Sequence, residues 1–333
     1  MIPRNSATLY GMQNEAEKWL WIIYLMIVIL SSLFGDIIIL IASFGYNAFK
    51  LNKFIVALIQ QIAVCDLALT LAWAFPIVIS IIAEDWILSD VVAKCQIFMT
   101  SVTYLMSNLL VCFLTFSKYL LVRYPLKTRG WTAKGAHLFC GVFWFVIISI
   151  SLGTLIAYSD DLEFDYSTYE IKYNVINSGD GIASFSLVLG SFYIVTMVIV
   201  ILTAVLTLRL LFKARAISRR GNGSVRWQGI LTVVLTAAVY CVSSLLFNVN
   251  KVTEMFKKEQ SPGLVRLASY LTLLNVMSNF YIYSLTVPSF RRFLRSKILS
   301  LSSKLFSSLG GGGNDAAEER DNQPHPIAAE EAL

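Results

Sequence analysis

Seven stretches of this chain run for twenty or more residues with almost no charge, at positions 20–44, 54–82, 92–122, 136–158, 181–212, 229–248 and 265–287. Each is long enough to cross about 30 Å of hydrocarbon as an α-helix. Hydrocarbon offers a backbone amide no water to bond, so a spanning segment must pair its own N–H and C=O groups. A helix does this within one segment, and runs this long and uniformly apolar do not suit barrel strands. The expected fold is therefore all-α, a bundle of seven membrane-spanning helices over 20–287. A composition 56% hydrophobic and only 14% charged excludes two soluble domains in 333 residues. The first apolar run follows a polar leader and is long enough to stay in the membrane, so a cleaved signal peptide is not expected.

The net charge of +6 raises the question of nucleic acid until the basic residues are placed. Eighteen lie between alternate spans, at Lys50 and Lys53, around 118–134, around 209–226 and at 291–304, with no acid among them until Asp315. The opposite side carries eight basic residues and thirteen acids, six of them in the loop between spans four and five. Positively charged loops stay in the cytoplasm, so residues 1–19 are expected outside and the C-terminus inside, in a multi-pass protein of the plasma membrane. The sequon Asn222-Gly223-Ser224 falls on the cytoplasmic side and is read as unglycosylated.

After the last span, 288–299 alternates basic and apolar residues at helical spacing, which predicts a short amphipathic helix on the inner leaflet, with Arg291, Arg292, Arg295 and Lys297 among anionic headgroups. Positions 300–333 are Ser-rich, then Gly-rich and acidic, and are expected to be a disordered cytoplasmic tail. Phosphorylation of Ser300, Ser302, Ser303, Ser307 or Ser308 could recruit an arrestin-like partner, or these serines simply solvate the tail. The five cysteines show no paired short spacing, so no zinc site or disulfide framework is indicated. His137 and His325 lie far from any nucleophile or metal set, and no enzyme is expected.

Polar groups at mid-membrane are costly and mark function. Asp36 and Asp66 sit in the middle of spans one and two, Ser107 and Asn108 in span three, and Asn275, Asn279 and Tyr283 in span seven. The last three are spaced by four and share one helical face. A carboxylate facing hydroxyl and amide oxygens suits a hydrated monovalent cation such as Na⁺. A structural hydrogen-bond network would read the same way in sequence.

These residues, from about 20 to 299, resemble the rhodopsin-like (class A) G-protein-coupled receptors. Ala63-Val-Cys-Asp66-Leu-Ala is similar to the family's Leu-Ala-x-x-Asp; Trp86 and Cys95 to its Trp and Cys at the outer edge of span three; Trp144 to the tryptophan of span four. Ser278-Asn279-Phe-Tyr-Ile-Tyr283, then Phe290-Arg291, resembles its Asn-Pro-x-x-Tyr motif and the helix that follows. The resemblance implies an extracellular ligand, a heterotrimeric G protein as partner, an allosteric Na⁺ at Asp66 with Ser107, Asn275 and Asn279, and a switch formed by Ser117, Lys118, Tyr119 and Tyr283.

The departures matter as much. Ser117-Lys118-Tyr119 stands where the family has Asp-Arg-Tyr, so Lys118 keeps a charge, while Ser117 cannot supply the resting counter-charge. That substitution is expected to raise basal activity or to impair coupling. Phe280 replaces the proline of span seven, which should leave that helix less kinked there; span six, at Tyr240-Cys241-Val-Ser-Ser244, has lost the Trp and Pro of its motif; Gly35-Asp36 replaces Gly-Asn. The loop after span four has no cysteine, so Cys95 is expected to be a free thiol and the acidic loop to be tethered only by its ends.

A ligand pocket in such a bundle lies between the outer halves of the helices, with Trp73, Thr100, Tyr104, Phe247, Asn248, Asn250 and Tyr270 as candidates. The outer half of span three has no carboxylate for a biogenic amine, and span seven no lysine for a retinal Schiff base. The acidic outer face suggests a cationic ligand such as a basic peptide, or is what positive-inside sorting leaves behind. The leading expectation is a ligand-activated receptor. The alternative is a receptor-shaped protein that couples weakly or not at all, and a transporter or channel comes third.

Overall fold

The computed structural model describes residues 14–44, 49, 51–173, 179–218, 227–255 and 261–310. The sequon, His325, the N-terminal 1–13 and the tail 311–333 lie outside them. Among the described residues, six helices are long and apolar enough to cross a membrane. Helix α1 is Glu15–Phe44. Helix α2, Lys53–Leu69, continues through a π-helical turn, Thr70–Ala74, into α3, Phe75–Ala83. Then follow α4, Asp90–Arg123, α5, Ala133–Tyr158, α6, Gly179–Ser218, and α7, Trp227–Met255.

Short polar residues set where these helices start. Asn14 Oδ1 accepts the amide of Ala16, Asn52 Oδ1 that of Phe54, and Thr132 Oγ1 that of Gly135, each at 2.8–3.2 Å. Each bond satisfies an N–H that the first turn would otherwise leave unpaired. The first helix consequently starts at Glu15, five residues before the apolar run.

The seventh span is not one helix. It is split into α8, Pro262–Leu271, and α9, Leu273–Thr286, at Thr272. There the amide of Thr272 bonds Ser269 O, the amide of Asn275 bonds Thr272 O, and Thr272 Oγ1 bonds back to Ser269 O at 2.5 Å. These i to i−3 bonds tighten one turn and interrupt the regular ladder. Helix α9 passes unbroken through Phe280, as the missing proline predicts, so the interruption sits eight residues earlier than the family's motif would put it.

Helix α4 packs on α2, α5 and α6; α1 on α2 and α9; α7 on α6 and α9. Helix α5 is apolar all round and leaves Leu138, Phe145 and Ile156 exposed, as expected of a helix facing lipid. The α1–α9 approach depends on Gly35, where an added Cβ would lie 2.5 Å from Phe280 Cβ.

The fold is helical as expected, with one short addition in the loop after α5: strands β1, Leu162–Asp165, and β2, Glu170–Tyr173, pair antiparallel with Leu162 opposite Tyr173 and Asp165 opposite Glu170. The helix after the seventh span, α10, runs Pro288–Gly310, through serines expected to lie in a disordered tail. From Phe293 it belongs to a separate compact unit, where Ser296, Ser302 and Ser303 bond back to the carbonyls of Phe293, Leu299 and Ser300.

Candidate functional site

The middle of the helices holds a connected set of buried polar groups. Asp66, on α2 and fully buried, accepts Ser107 Oγ of α4 at 3.2 Å and Asn279 Nδ2 of α9 at 2.7 Å. Asp36 of α1 accepts Ser32 Oγ at 2.8 Å, and Thr70 Oγ1 lies 2.8 Å from both Ser32 Oγ and the Asp66 carbonyl oxygen. The two buried acids thus belong to one chain of bonds running across α1, α2, α4 and α9. Ser107 and Asn275 line a cavity of about 10 Å³, together with Asn108, Ser244 and Thr272. That is room for about one water. Asp66 does not line this cavity, and the Asn279 amide turns its N–H to the carboxylate, so the fit to a small monovalent cation rests on the Asp66 carboxylate and the Ser107 hydroxyl. Among the described residues no group of three or more His, Cys, Asp or Glu side chains is placed to hold a metal ion.

Beside this layer Tyr240 of α7 ties three helices. Its hydroxyl donates to Asn108 Oδ1 at 2.7 Å and lies 3.2 Å from Thr196 Oγ1 of α6. A hydrogen-bonded tyrosine therefore stands in the region where span six has lost its Trp and Pro.

Towards the hairpin end, Tyr104 of α4 is the hub of an aromatic cluster. Its ring centre is 5.1 Å from that of Tyr193, 5.4 Å from Phe247 and 6.4 Å from Trp73, all edge-on. The π-turn brings Trp73 there: the amide of Phe75 reaches back five residues to Thr70 O, absorbing the ring of Pro76. Trp73 Nε1 then donates to Glu170 Oε2 of the hairpin at 2.5 Å. Tyr270 of α8 donates to Thr168 O at 2.8 Å and accepts, at its own carbonyl, the hydroxyl of Tyr24 at 3.0 Å. Arg266, 2% exposed, donates from Nε to Ser167 O at 2.8 Å and pairs with Glu17 of α1. The acidic loop is therefore not held only by its ends; polar contacts with Trp73 of the π-turn and with α8 do what a disulfide to Cys95 does not. Cys95 is exposed and unpaired.

The hairpin's own turn is organised by Asp165. Its Oδ1 accepts the amide of Ser167 at 2.7 Å, its Oδ2 accepts Thr168 Oγ1 and Lys172 Nζ, and its backbone carbonyl accepts the amide of Tyr169. Burial alone would raise this carboxyl, but Lys172 and the Ser167 bonds outweigh it and hold it at about 2. Tyr169 adopts a left-handed backbone, φ 54°, unusual for a bulky residue, and is buried.

At the other end, Lys118 Nζ sits 5.9 Å from the ring centre of Tyr283. Ser117 is buried and Tyr119 half-buried. Tyr283 also meets Phe49 edge-on at 5.8 Å, and its hydroxyl has no partner among the described residues.

Of the expected cation-site residues, Ser107 and Asn279 bond Asp66 directly, and Asn275 lines the adjoining cavity. Of the expected pocket residues, Trp73, Tyr104 and Phe247 form one cluster and Tyr270 meets the hairpin. Thr100 Oγ1 and Asn248 Oδ1 are buried without partners among the described residues, and Asn250 is buried. Sequence reasoning missed Ser32 and Thr70, which only the crossing of α1 and α2 brings together, and Tyr193. Arg266 was not singled out, although its spacing of four from Tyr270 places both on one helical face. The profile of the 7 transmembrane receptor (rhodopsin family) matches residues 35–283. No curated protein matches the sequence.

Proposed function

The chain belongs to the rhodopsin family of seven-transmembrane receptors, and from that premise we propose that it carries an extracellular signal across the plasma membrane to a heterotrimeric G protein. The hairpin end faces outside and the Lys118 end the cytoplasm, in keeping with the basic residues between alternate spans. The carrying observation is the polar column from Asp66 through Ser107 and Asn279, with Tyr283 one turn further along α9 beside Lys118. A ligand acting near Tyr104 can move α4, α6 and α7 against that column, and Lys118 with Tyr283 presents the change to the G protein. Asp66 and Ser107, beside Asn275, would hold a Na⁺, whose charge would favour the resting arrangement. Arrestin is a further partner through serines of α10.

One observation favours the second reading, a weakly coupling receptor: Lys118 faces the ring of Tyr283 and is preceded by Ser117 instead of an acid. A G-protein recruitment assay in cells, run without ligand and against a ligand panel, separates the two. Recruitment in either condition supports the receptor; absence in both sinks it in favour of the non-coupling alternative.

A further inference from the structure

The tip of the hairpin occupies the space a ligand would use. Thr168, Tyr169 and Glu170 are all buried, and Tyr169 packs in the same apolar cluster as Trp73, Tyr270, Leu273 and Val276 from the helices. Three hydrogen bonds running into the tip from the helices point the same way. Arg266 Nε, Tyr270 Oη and Trp73 Nε1 donate, and Ser167 O, Thr168 O and the Glu170 carboxylate accept. Arg266, Tyr270 and Trp73 are each more than nine-tenths buried. Outside the mouth the sense differs, since the exposed Tyr166 hydroxyl lies against Asp85 Oδ1 at 3.3 Å.

We propose that the 162–173 hairpin is the resident occupant of the ligand site, and that the diffusible ligand displacing it is an aromatic carboxylic acid. The chemistry is copied from the tip itself. A carboxylate, that of Glu170, already takes the indole N–H of Trp73, and an aromatic ring, that of Tyr169, already fills the apolar cluster next to it. A molecule that removes the tip must satisfy the same buried donors, because a donor stripped of its acceptor inside the protein is costly. An acid beside a ring does so; an ammonium or guanidinium group has no lone pair to offer these donors. This reverses the ligand charge that the acidic outer face suggests, because the residues lining the mouth differ in character from the loops around it. The inference rests on the receptor reading only for which end faces outside.

The test reads access and charge directly. Thr100→Cys places a thiol on α4, one turn from Tyr104, in a Cys95→Ser background, with the same background retaining Thr100 as the blank. Intact cells are treated with carboxyethyl or trimethylammonioethyl methanethiosulfonate, and each labelling rate is divided by that of a free thiol. Tyr169→Ala and the milder Trp73→Phe should raise both rates about tenfold, the change expected from losing one or two closing contacts. In those unlatched variants the anionic reagent should be favoured over the cationic one. Arg266→Gln should shift the ratio towards the cation about threefold, and Arg266→Lys should not. Surface amount is followed by an N-terminal epitope, and Trp73→Phe serves if Tyr169→Ala does not reach the surface. Equal rates with and without the latch overturn the resident hairpin; a cationic preference once unlatched overturns the acidic ligand. G-protein recruitment measured in the same cells scores the receptor reading separately, since labelling does not depend on signalling.

Discussion

Asp66 accepts two hydrogen bonds inside a fully buried site, so its carboxylate is where a cation would be felt first. Replacing NaCl with an organic-cation salt should lower the thermal midpoint of the native receptor by about 2 °C, and Asp66→Asn should abolish the difference. An equal Na⁺ response in the variant would remove the cation from the site and leave a structural network. Tyr240 is the complementary case, because its hydroxyl supplies the proton on Asn108 Oδ1. Tyr240→Phe keeps the ring and strands a buried acceptor, at a cost of about 1–2 kcal/mol in thermal or denaturant unfolding. Asp165 gives a pH signature. Its carboxyl lies below the ordinary value of 3.8, at about 2, so the stability it contributes is fully present above about pH 4 and is lost as pH falls through about 2. Asp165→Asn should therefore cost on the order of 1–2 kcal/mol at pH 5, with native and variant converging towards pH 2.

Between elements, the tightest approach is Gly35 of α1 against Phe280 of α9. Gly35→Ala should destabilise by about 1–3 kcal/mol, because the new methyl group meets Phe280 Cβ and not a flexible side-chain end. Gly141→Ala and Gly153→Ala on α5 meet nothing within 4 Å and should be neutral or stabilise by up to about 1 kcal/mol, chiefly through the unfolded chain. Equal effects at all three positions would contradict the packing described. Most helices were legible in the apolar runs to within a few residues, because length and lack of charge are local properties. The split at Thr272 and the π-turn at Thr70–Ala74 were not, since both depend on single hydrogen bonds inside stretches of uniform hydropathy. Asp66, Ser107 and Asn279 could be picked out as costly polar groups in apolar runs. Arg266 could not be placed, because its acceptors, Glu17 and the Ser167 carbonyl, are far from it in the chain.

Across the whole molecule, the hairpin end carries the latches of Trp73, Arg266 and Tyr270, and the other end carries Lys118 against Tyr283. If Ser117 leaves Lys118 without a resting counter-charge, Ser117→Asp should lower ligand-independent G-protein recruitment and Lys118→Arg should raise coupling. Indistinguishable outputs from the three proteins would show that this position does not set the balance. The π-turn joins the two ends in one further respect. It inserts an extra residue between Asp66, which looks into the polar column, and the outer half of the same span, which carries the wall of the mouth. Forcing Thr70–Ala74 into an ordinary α-helix with every residue kept would turn everything beyond it by about 100°, leaving Asp66 in place while Ile77 and Ile81 swing out of the core; deleting Ala72 as well would absorb that turn and keep both facing inward. Reading-frame arithmetic inside this one helix, more than any individual side chain, keeps the mouth and the polar column facing the same interior.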